Sequence, residues 1–481
     1  MMTWTDLLTI LPTVCLIVWA MLMLLAGLWM PKRAEVIHPF AAILGLAGTG
    51  AALSLLAGKG LQGFGGMVRL DSYAVFLDAL FLVSGVLAVV LSPAYLKRVG
   101  IDQYEYYPLI LLSLSGMLLM ASASDLIMVF LSLELLSLPL YVLAGIARPK
   151  LESEEASLKY FLLGTLASGF VLFGISFVFA ATATTGFAAA AAAVQAGTAH
   201  MALLLAGAAL LIIGLGFKIA VVPFHFWAPD VYQGAPSTVT AFMAVGAKAA
   251  GFAALLRLVL MVFAGEAGVI VPVFAVLAAL TMFGGNLMVL VQNNLKRLLA
   301  YMGIASAGYM LMAFVPFANP AVQADSLASA LFYLLSFALA SFGAWAVLVS
   351  LEQADGSGME MVNLSGLGRR APLLAAALTV FMLSFTGIPL TLGFWGKFYL
   401  FRTAIAGGYT WLAVLGLLTS VLAAFAAFRV IQQMYFKPGE PNVHPSYWTT
   451  VVAVFCALCV LVLSFLPGEL FTLAVKALIG A

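Results

Sequence analysis

Charge is what this 481-residue sequence has least of. Asp, Glu, Lys and Arg together make up 8%, against about a quarter in soluble globular proteins, so an ordinary water-exposed surface is excluded. Histidine occurs four times, at His38, His200, His225 and His444, far apart in the chain. No paired-histidine helix, phosphate-binding loop or dinucleotide fingerprint offers a place for haem, ATP or NAD. The three cysteines, Cys15, Cys456 and Cys459, lie in apolar runs and suggest no disulfide framework. Cys456 and Cys459 form a CxxC, but on an apolar helix this spacing sets two small side chains on one face. No fuel site, metal site or redox centre is therefore expected in the chain itself.

What is abundant is apolar sequence, 64% of the total. Runs of roughly 20 residues, long enough to cross a bilayer as helices, recur from Leu7–Met30 to Trp448–Leu466, and about fourteen can be counted. The expected fold is an all-α polytopic transmembrane bundle. The first run lacks a basic leader region and a small-residue cleavage site, and reads as a retained span. The longest loops, such as Glu352 to Ala371, are too short for a water-soluble domain, so any mechanism must reside in the membrane. Ala188 to Ala193 reads as a short helix or spacer.

The 21 Lys and Arg divide unevenly. Lys32, Arg33, Lys97, Arg98, Arg148, Lys150, Lys296, Arg297, Arg369, Arg370 and Lys437 fall on one side of the count, and Lys59, Arg69, Arg402 and Lys476 on the other. The positive-inside bias puts the first group in the cytoplasm and both termini outside. Lys159, Lys218, Lys248, Arg257, Lys397 and Arg429 remain, and all six lie within spans.

A charge at mid-bilayer costs at least a few kcal/mol and usually faces protein or a hydrated path. Lys248 and Lys397 lie among glycines and alanines that give no cover, and Glu134 lies well inside its span. Lys218 is followed by Pro223 and His225 in "LGFKIAVVPFHFWAPDVYQGAP". Lys159, Arg257 and Arg429 are close enough to span ends to read as snorkelling anchors. Moving an opposite charge toward or away from a buried Lys or Glu moves its proton affinity, so a file of Lys, His and Glu linked by water is a switchable proton route. Pro223, Pro229 and Pro236 each remove a backbone donor, and a helix broken there exposes carbonyls that can line the route.

The chain also echoes itself. "YFLLGTLAS" from Tyr160 is matched by "YLLSFALAS" from Tyr333, and "PFHFW" from Pro223 by "PLTLGFW" from Pro389. Two repeats, each with a proline-interrupted helix near a lysine, point to transporter architecture.

Taken together, "VPFHFWAPDVYQGAP", "NNLKRLLAYMGIASAGYM" and "SFTGIPLTLGFWGKFYLF" resemble the antiporter-like membrane subunits of respiratory complex I. The wording is of the N form, equivalent to mitochondrial subunit 2, whereas the L and M forms tend to read HTWLPDA at the first stretch. The resemblance implies about fourteen helices with two inverted five-helix repeats containing broken helices. Its expected divisions are 1–105 (N-terminal helices), 106–265 (first repeat), 266–436 (second repeat) and 437–481 (C-terminal helix). It implies a proton relay in which Glu134 and Lys218 form a modulating pair with Lys159 as neighbour, His225 and Lys248 connect, and Lys397 stands toward the exit. Where relatives often carry a histidine between Ile304 and Tyr309, this chain has Ser306, so a relay there would use water or the hydroxyls of Ser306 or Tyr301. The implied partners are the other membrane subunits and, through them, a redox arm holding NADH, FMN, iron-sulfur clusters and quinone, with no nucleic acid. A multisubunit sodium/proton antiporter or a membrane-bound hydrogenase would use similar lysines, and both stay open at this point.

Overall fold

The structure is a computed structural model and describes residues 3–29 and 37–479. Lys32 and Arg33, counted above with the basic side, lie outside the described residues. Twelve described helices are long and apolar enough to cross a membrane: Leu11–Trp29, Ile37–Leu56, Ser72–Val99, Leu126–Ala144, Leu151–Thr182, Met201–Lys218, Ser237–Met261, Ala267–Leu290, Leu295–Ala318, Gln323–Leu351, Thr410–Phe436 and Tyr447–Phe465. Two shorter apolar helices, Tyr106–Ser122 and Pro372–Thr386, bring the total to the fourteen segments read from the sequence. In chain order they are the first to fourteenth spans, Tyr106–Ser122 being the fourth and Pro372–Thr386 the twelfth.

Burial separates these spans into a wall and a centre. The first, second, sixth, ninth, thirteenth and fourteenth are well under half buried, whereas the eighth and tenth are wholly buried and the eleventh nearly so. Lipid chains give no hydrophobic drive for helices to associate, so close packing through small residues has to supply it. Gly116 of the fourth span lies against the backbone of Leu136 in the fifth, and Gly285 and Gly308 join the ninth and tenth in the same way. Gly174, Gly207 and Gly214 let the sixth and seventh approach each other's backbone.

Both proline-marked segments are broken helices. The seventh span stops at Lys218, and a helix resumes at Trp227–Gly234. The twelfth stops at Thr386 with Gly387 in the left-handed region (φ 84°), and resumes as Leu392–Ala406. Each gap holds a non-glycine residue with positive φ, Ala220 and Leu390, a conformation that helix continuation cannot supply. Only Pro223 lies in the first gap. Pro229 occupies the first turn of the resumed helix, where no acceptor is lost, and Pro236 precedes the eighth span.

Some features depart from the sequence reading or add to it, and others agree with it. Arg257, read as a span-end anchor, is 1% exposed and forms a two-pronged pair with Asp71 at 2.7 and 2.8 Å, because the start of the third span reaches it with a carboxylate. Arg429 does act at a helix end, donating to the Leu290 carbonyl and to Asn293 Oδ1. A two-stranded hairpin, Leu61–Gly63 with Val68–Leu70, precedes the third span. A last helix, Pro467–Ile479, follows the fourteenth span and stacks Phe471 on Tyr399 at 4.2 Å. The alanine run lies in the helix Phe187–Gln195.

Removing one partner of a buried ion pair leaves the other uncompensated, at a cost of about 3–5 kcal/mol. Asp71→Asn is therefore expected to lower the thermal unfolding midpoint of the detergent-solubilised protein strongly. The double replacement Asp71→Asn, Arg257→Leu is expected to recover a large part of that loss in the same melt.

Candidate functional site

Besides Lys296, which is ion-paired with Glu352, three described lysines are buried, at 4% (Lys218), 2% (Lys248) and 3% (Lys397) exposure. Among the described residues no carboxylate lies within 4.0 Å of any of them. An ammonium taken from water without such a partner has to be held by other acceptors.

Lys218 is the last residue of the first half of the seventh span, at the end where the helix dipole favours a cation. It donates to Ser137 Oγ (2.8 Å) and the Tyr160 hydroxyl (3.0 Å), and lies 5.3 Å from the centre of the Tyr160 ring. Ser137 is one turn past Glu134 on the fifth span. Glu134 acts on Lys218 electrostatically without touching it, and one of its oxygens is buried with no hydrogen-bond partner.

The gap after Lys218 is stapled shut by Trp227. Its indole N–H donates to the Phe217 carbonyl at 2.9 Å, and its ring stacks on Tyr160 at 4.7 Å and 9°. The hydroxyl of Thr281, on the ninth span, takes the free N–H of Val222 at 3.1 Å. His225 lies in the gap, half-buried, with Nδ1 unpartnered and its ring 6.5 Å from that of Tyr301.

Lys248 follows a π-helical turn, Met243–Ala247, in the eighth span. Such turns widen the helix locally and recur at functional positions. Its ammonium donates to the Gly303 carbonyl of the tenth span at 2.6 Å and lies 5.3 Å from the Phe337 ring centre. A Cβ at Gly303 would meet that nitrogen at 3.0 Å, so the glycine makes the approach possible.

Lys397, on the second half of the twelfth span, reaches back to the end of the first half. It donates to the Thr386 carbonyl (3.2 Å) and to Ser420 Oγ (3.0 Å), 4.1 Å from the Tyr309 ring centre. Ser420 Oγ and the Tyr309 hydroxyl are 3.0 Å apart. Between Lys248 and Lys397 stand Ser306 and Tyr333, which share a long hydrogen bond of 3.4 Å, and the rings of Tyr333 and Tyr309 are 6.2 Å apart. Tyr309 carried no signal of its own in the sequence, since tyrosines in an aromatic-rich chain are ordinary, and Tyr333 was marked only by the echo with Tyr160.

The structure does not bring Lys159 to Glu134. Its ammonium is 42% exposed and pairs with Glu155 (2.7 Å) and Asp230 (3.0 Å), and Asp230 also accepts from Arg297 at 2.7 Å. One turn of helix separates Glu155 from Lys159, so a local partner wins over a buried one. Asp230 thereby ties the resumed half of the seventh span to the sixth and tenth.

The chain as a whole is similar to known proteins. A family model described as NADH:quinone oxidoreductase/Mrp antiporter, TM, matches residues 123–423. NADH-quinone oxidoreductase subunit N of Trichlorobacter lovleyi is 43% identical over 462 residues, 95% of this chain and 93% of that protein. A chain in the structure of respiratory complex I from Thermus thermophilus with bound aureothin superimposes with a TM-score of 0.82 at 36% identity, covering 98% of this chain and 100% of its own. A chain of the Mrp complex from Dietzia sp. DQ12-45-1b shares the fold, with a TM-score of 0.85 at 21% identity over 99% and 97% of the two chains.

The Trp227 staple can be tested by subtraction. Trp227→Phe keeps a ring for Tyr160 but loses the hydrogen bond across the gap, and should cost about 1 kcal/mol. Trp227→Ala should cost about 3–5 kcal/mol. Both are read as the unfolding midpoint in detergent, and equal effects of the two would show that the bond across the gap, not the ring, holds the halves together.

Proposed function

Since this chain belongs to the subunit N family of NADH-quinone oxidoreductases, we propose that it moves protons across the membrane through Glu134, Lys218, His225, Lys248 and Lys397. It serves as a multi-pass membrane subunit of a proton-translocating NADH:quinone oxidoreductase and carries no redox chemistry of its own. NADH, FMN, iron-sulfur clusters and quinone belong to partner subunits, with which this chain assembles through the other antiporter-like and small membrane subunits. In a bacterial plasma membrane the ends bearing Lys97, Arg98, Arg148, Lys150, Arg369 and Arg370 face the cytoplasm, and the termini face outward. The segments 106–265 and 266–436 are the two repeats, each contributing one broken helix.

The observation that carries this reading is that three buried lysines, none ion-paired among the described residues, lie on carbonyls and hydroxyls, with the hydroxyl pairs Ser306–Tyr333 and Tyr309–Ser420 between Lys248 and Lys397. A proton on Lys218 is held by fixed dipoles, so a change of charge at Glu134 alters its hold without breaking a bond. His225, in the gap, can take the proton toward Lys248. From Lys248 the hydroxyls of Ser306, Tyr333, Tyr309 and Ser420 lead to Lys397, with water completing the file where direct bonds are lacking. Lys159 sits at the rim, in an exposed charge cluster, and modulates access rather than carrying the proton past Lys218.

Copurification of the tagged chain should bring down redox subunits, and a chain recovered without them would sink the assignment to this complex. In membrane vesicles containing the assembled complex, Lys218→Ala and Lys397→Ala should each lower NADH-driven proton uptake by about a hundredfold, the lower end of what a positioned proton-transfer group contributes. Lys218→Arg should not restore it, since guanidinium does not release its proton in proteins. Normal uptake in both alanine variants would leave the lysines with a structural role only.

A further inference from the structure

Away from the buried lysines, one cavity of about 370 Å³ opens at the end of the bundle that carries Lys150. Its mouth mixes signs: Glu152, Glu155, Asp230 and Asp355 face Lys150 and Lys159. Exposure falls steeply along its wall. The side chains of Glu155, Lys159 and Asp230 are 58%, 42% and 39% exposed, while those of Lys296 and Glu352, which also line it, are 4% and 6% exposed.

Lys296 and Glu352 form a direct pair at 2.8 Å, and Lys296 also donates to the Ala235 carbonyl at 3.2 Å. Ala235 terminates the resumed half of the broken seventh span, so this lysine caps that half. The other oxygen of Glu352 is buried and has no partner. Immediately inward, the Tyr95 hydroxyl accepts from the N–H of Ser237, the first residue of the eighth span, at 3.1 Å, and the Ser237 hydroxyl is likewise buried and unpartnered. Thr238 continues the series through Tyr106 (3.0 Å) to Ser92 (2.8 Å). Lys248 lies on that same eighth span, roughly 16 Å further along at 1.5 Å per residue.

A buried carboxylate with one oxygen paired and one idle, at the inner limit of a polar cavity, has a free lone pair where a proton can arrive. A run of hydroxyls begins beside it. We propose that Glu352, steadied by Lys296, is the proton-loading site of this protein: it takes a proton from the charged cavity and hands it inward past Tyr95 and Ser237 toward Lys248. In the loading step, cavity water gives a proton to the idle oxygen of Glu352 while Lys296 keeps its own and stays on the Ala235 carbonyl. The charged or titratable groups facing Glu352 are Lys296 of the tenth span and Tyr95 and Arg98 of the third, with the cavity-mouth charges further out. This rests on the reading of the chain as a proton translocator.

The test uses membrane vesicles containing the intact complex and measures protons taken up per NADH oxidised. Lys296→Met combined with Glu352→Leu removes both charges and leaves neither unpaired. It should lose as large a share of uptake as Lys397→Ala measured in parallel, and Glu352→Asp, which keeps a titratable group, should recover most of it. Normal uptake in the double variant beside a loss in Lys397→Ala overturns the loading site and leaves the proposed function standing. Normal uptake in both overturns the two together. A measurement on the unaltered complex covers a double variant that does not assemble: an apolar carbodiimide, which reacts with protonated carboxyls, should label Glu352. Absence of the label at Glu352 at every pH overturns the proposal.

Discussion

A lysine ammonium enclosed in apolar helices without a carboxylate beside it is the constraint on which the rest of this structure depends. Helices satisfy their own carbonyls, so an intact bundle would have little to offer such a cation. The protein makes acceptors by ending helices inside the membrane. Lys218 lies at the carbonyl end of one half-helix, Lys397 on the terminal carbonyl Thr386 of another, and Lys296 on Ala235 at the end of a third. At Lys218 and Lys397 the partial negative charge of a helix end takes the place of a counter-ion, and at Lys296 it adds to the Glu352 carboxylate.

That substitution has mechanical consequences. A broken span exposes backbone donors as well as acceptors, and each has to be met. Trp227 and Thr281 perform this at the first gap, and Gly387 lets the chain turn at the second with its Cα 'bare' toward Lys397, where a Cβ would come within 2.9 Å of the side chain. The central spans are then obliged to be close-packed and featureless except at the lysines. This is why the eighth and tenth spans are wholly buried and why small residues dominate their contacts.

Much of this was legible in the sequence, for physical reasons that can be named. Bilayer thickness forces long apolar runs, so all fourteen segments could be read, and lysines among glycines and alanines marked Lys248 and Lys397. The echo between Tyr160 and Tyr333 also has a structural counterpart, since the first tyrosine holds Lys218 and the second joins Ser306 on the way to Lys397. Arg257 and Glu352 escaped because their partners, Asp71 and Lys296, are distant in sequence. A charge near a span end also reads equally well as a snorkelling anchor. The π-helical turn before Lys248 left no trace, because Met243–Ala247 is as good an α-helix as any neighbouring stretch. The hairpin of Leu61–Gly63 with Val68–Leu70 is too short for an alternating pattern to show.

The difference between the two kinds of buried charge follows from geometry. Arg257 is gripped by both oxygens of Asp71 and a carbonyl, at 2.7 to 2.8 Å, an arrangement that is saturated and, with a guanidinium, permanently charged. Such a group can only brace the fold. The three interior lysines have hydroxyl, carbonyl and ring contacts that a neutral amine can also make, because an amine still donates and gains an acceptor lone pair on losing its proton. Their surroundings therefore tolerate either protonation state without rearranging the helices. A carboxylate in direct contact with Lys218 would remove that tolerance by locking the charge in place. Glu134, held off the lysine but within its field, leaves the balance adjustable, which is what a stepwise carrier of protons requires of a rigid bundle.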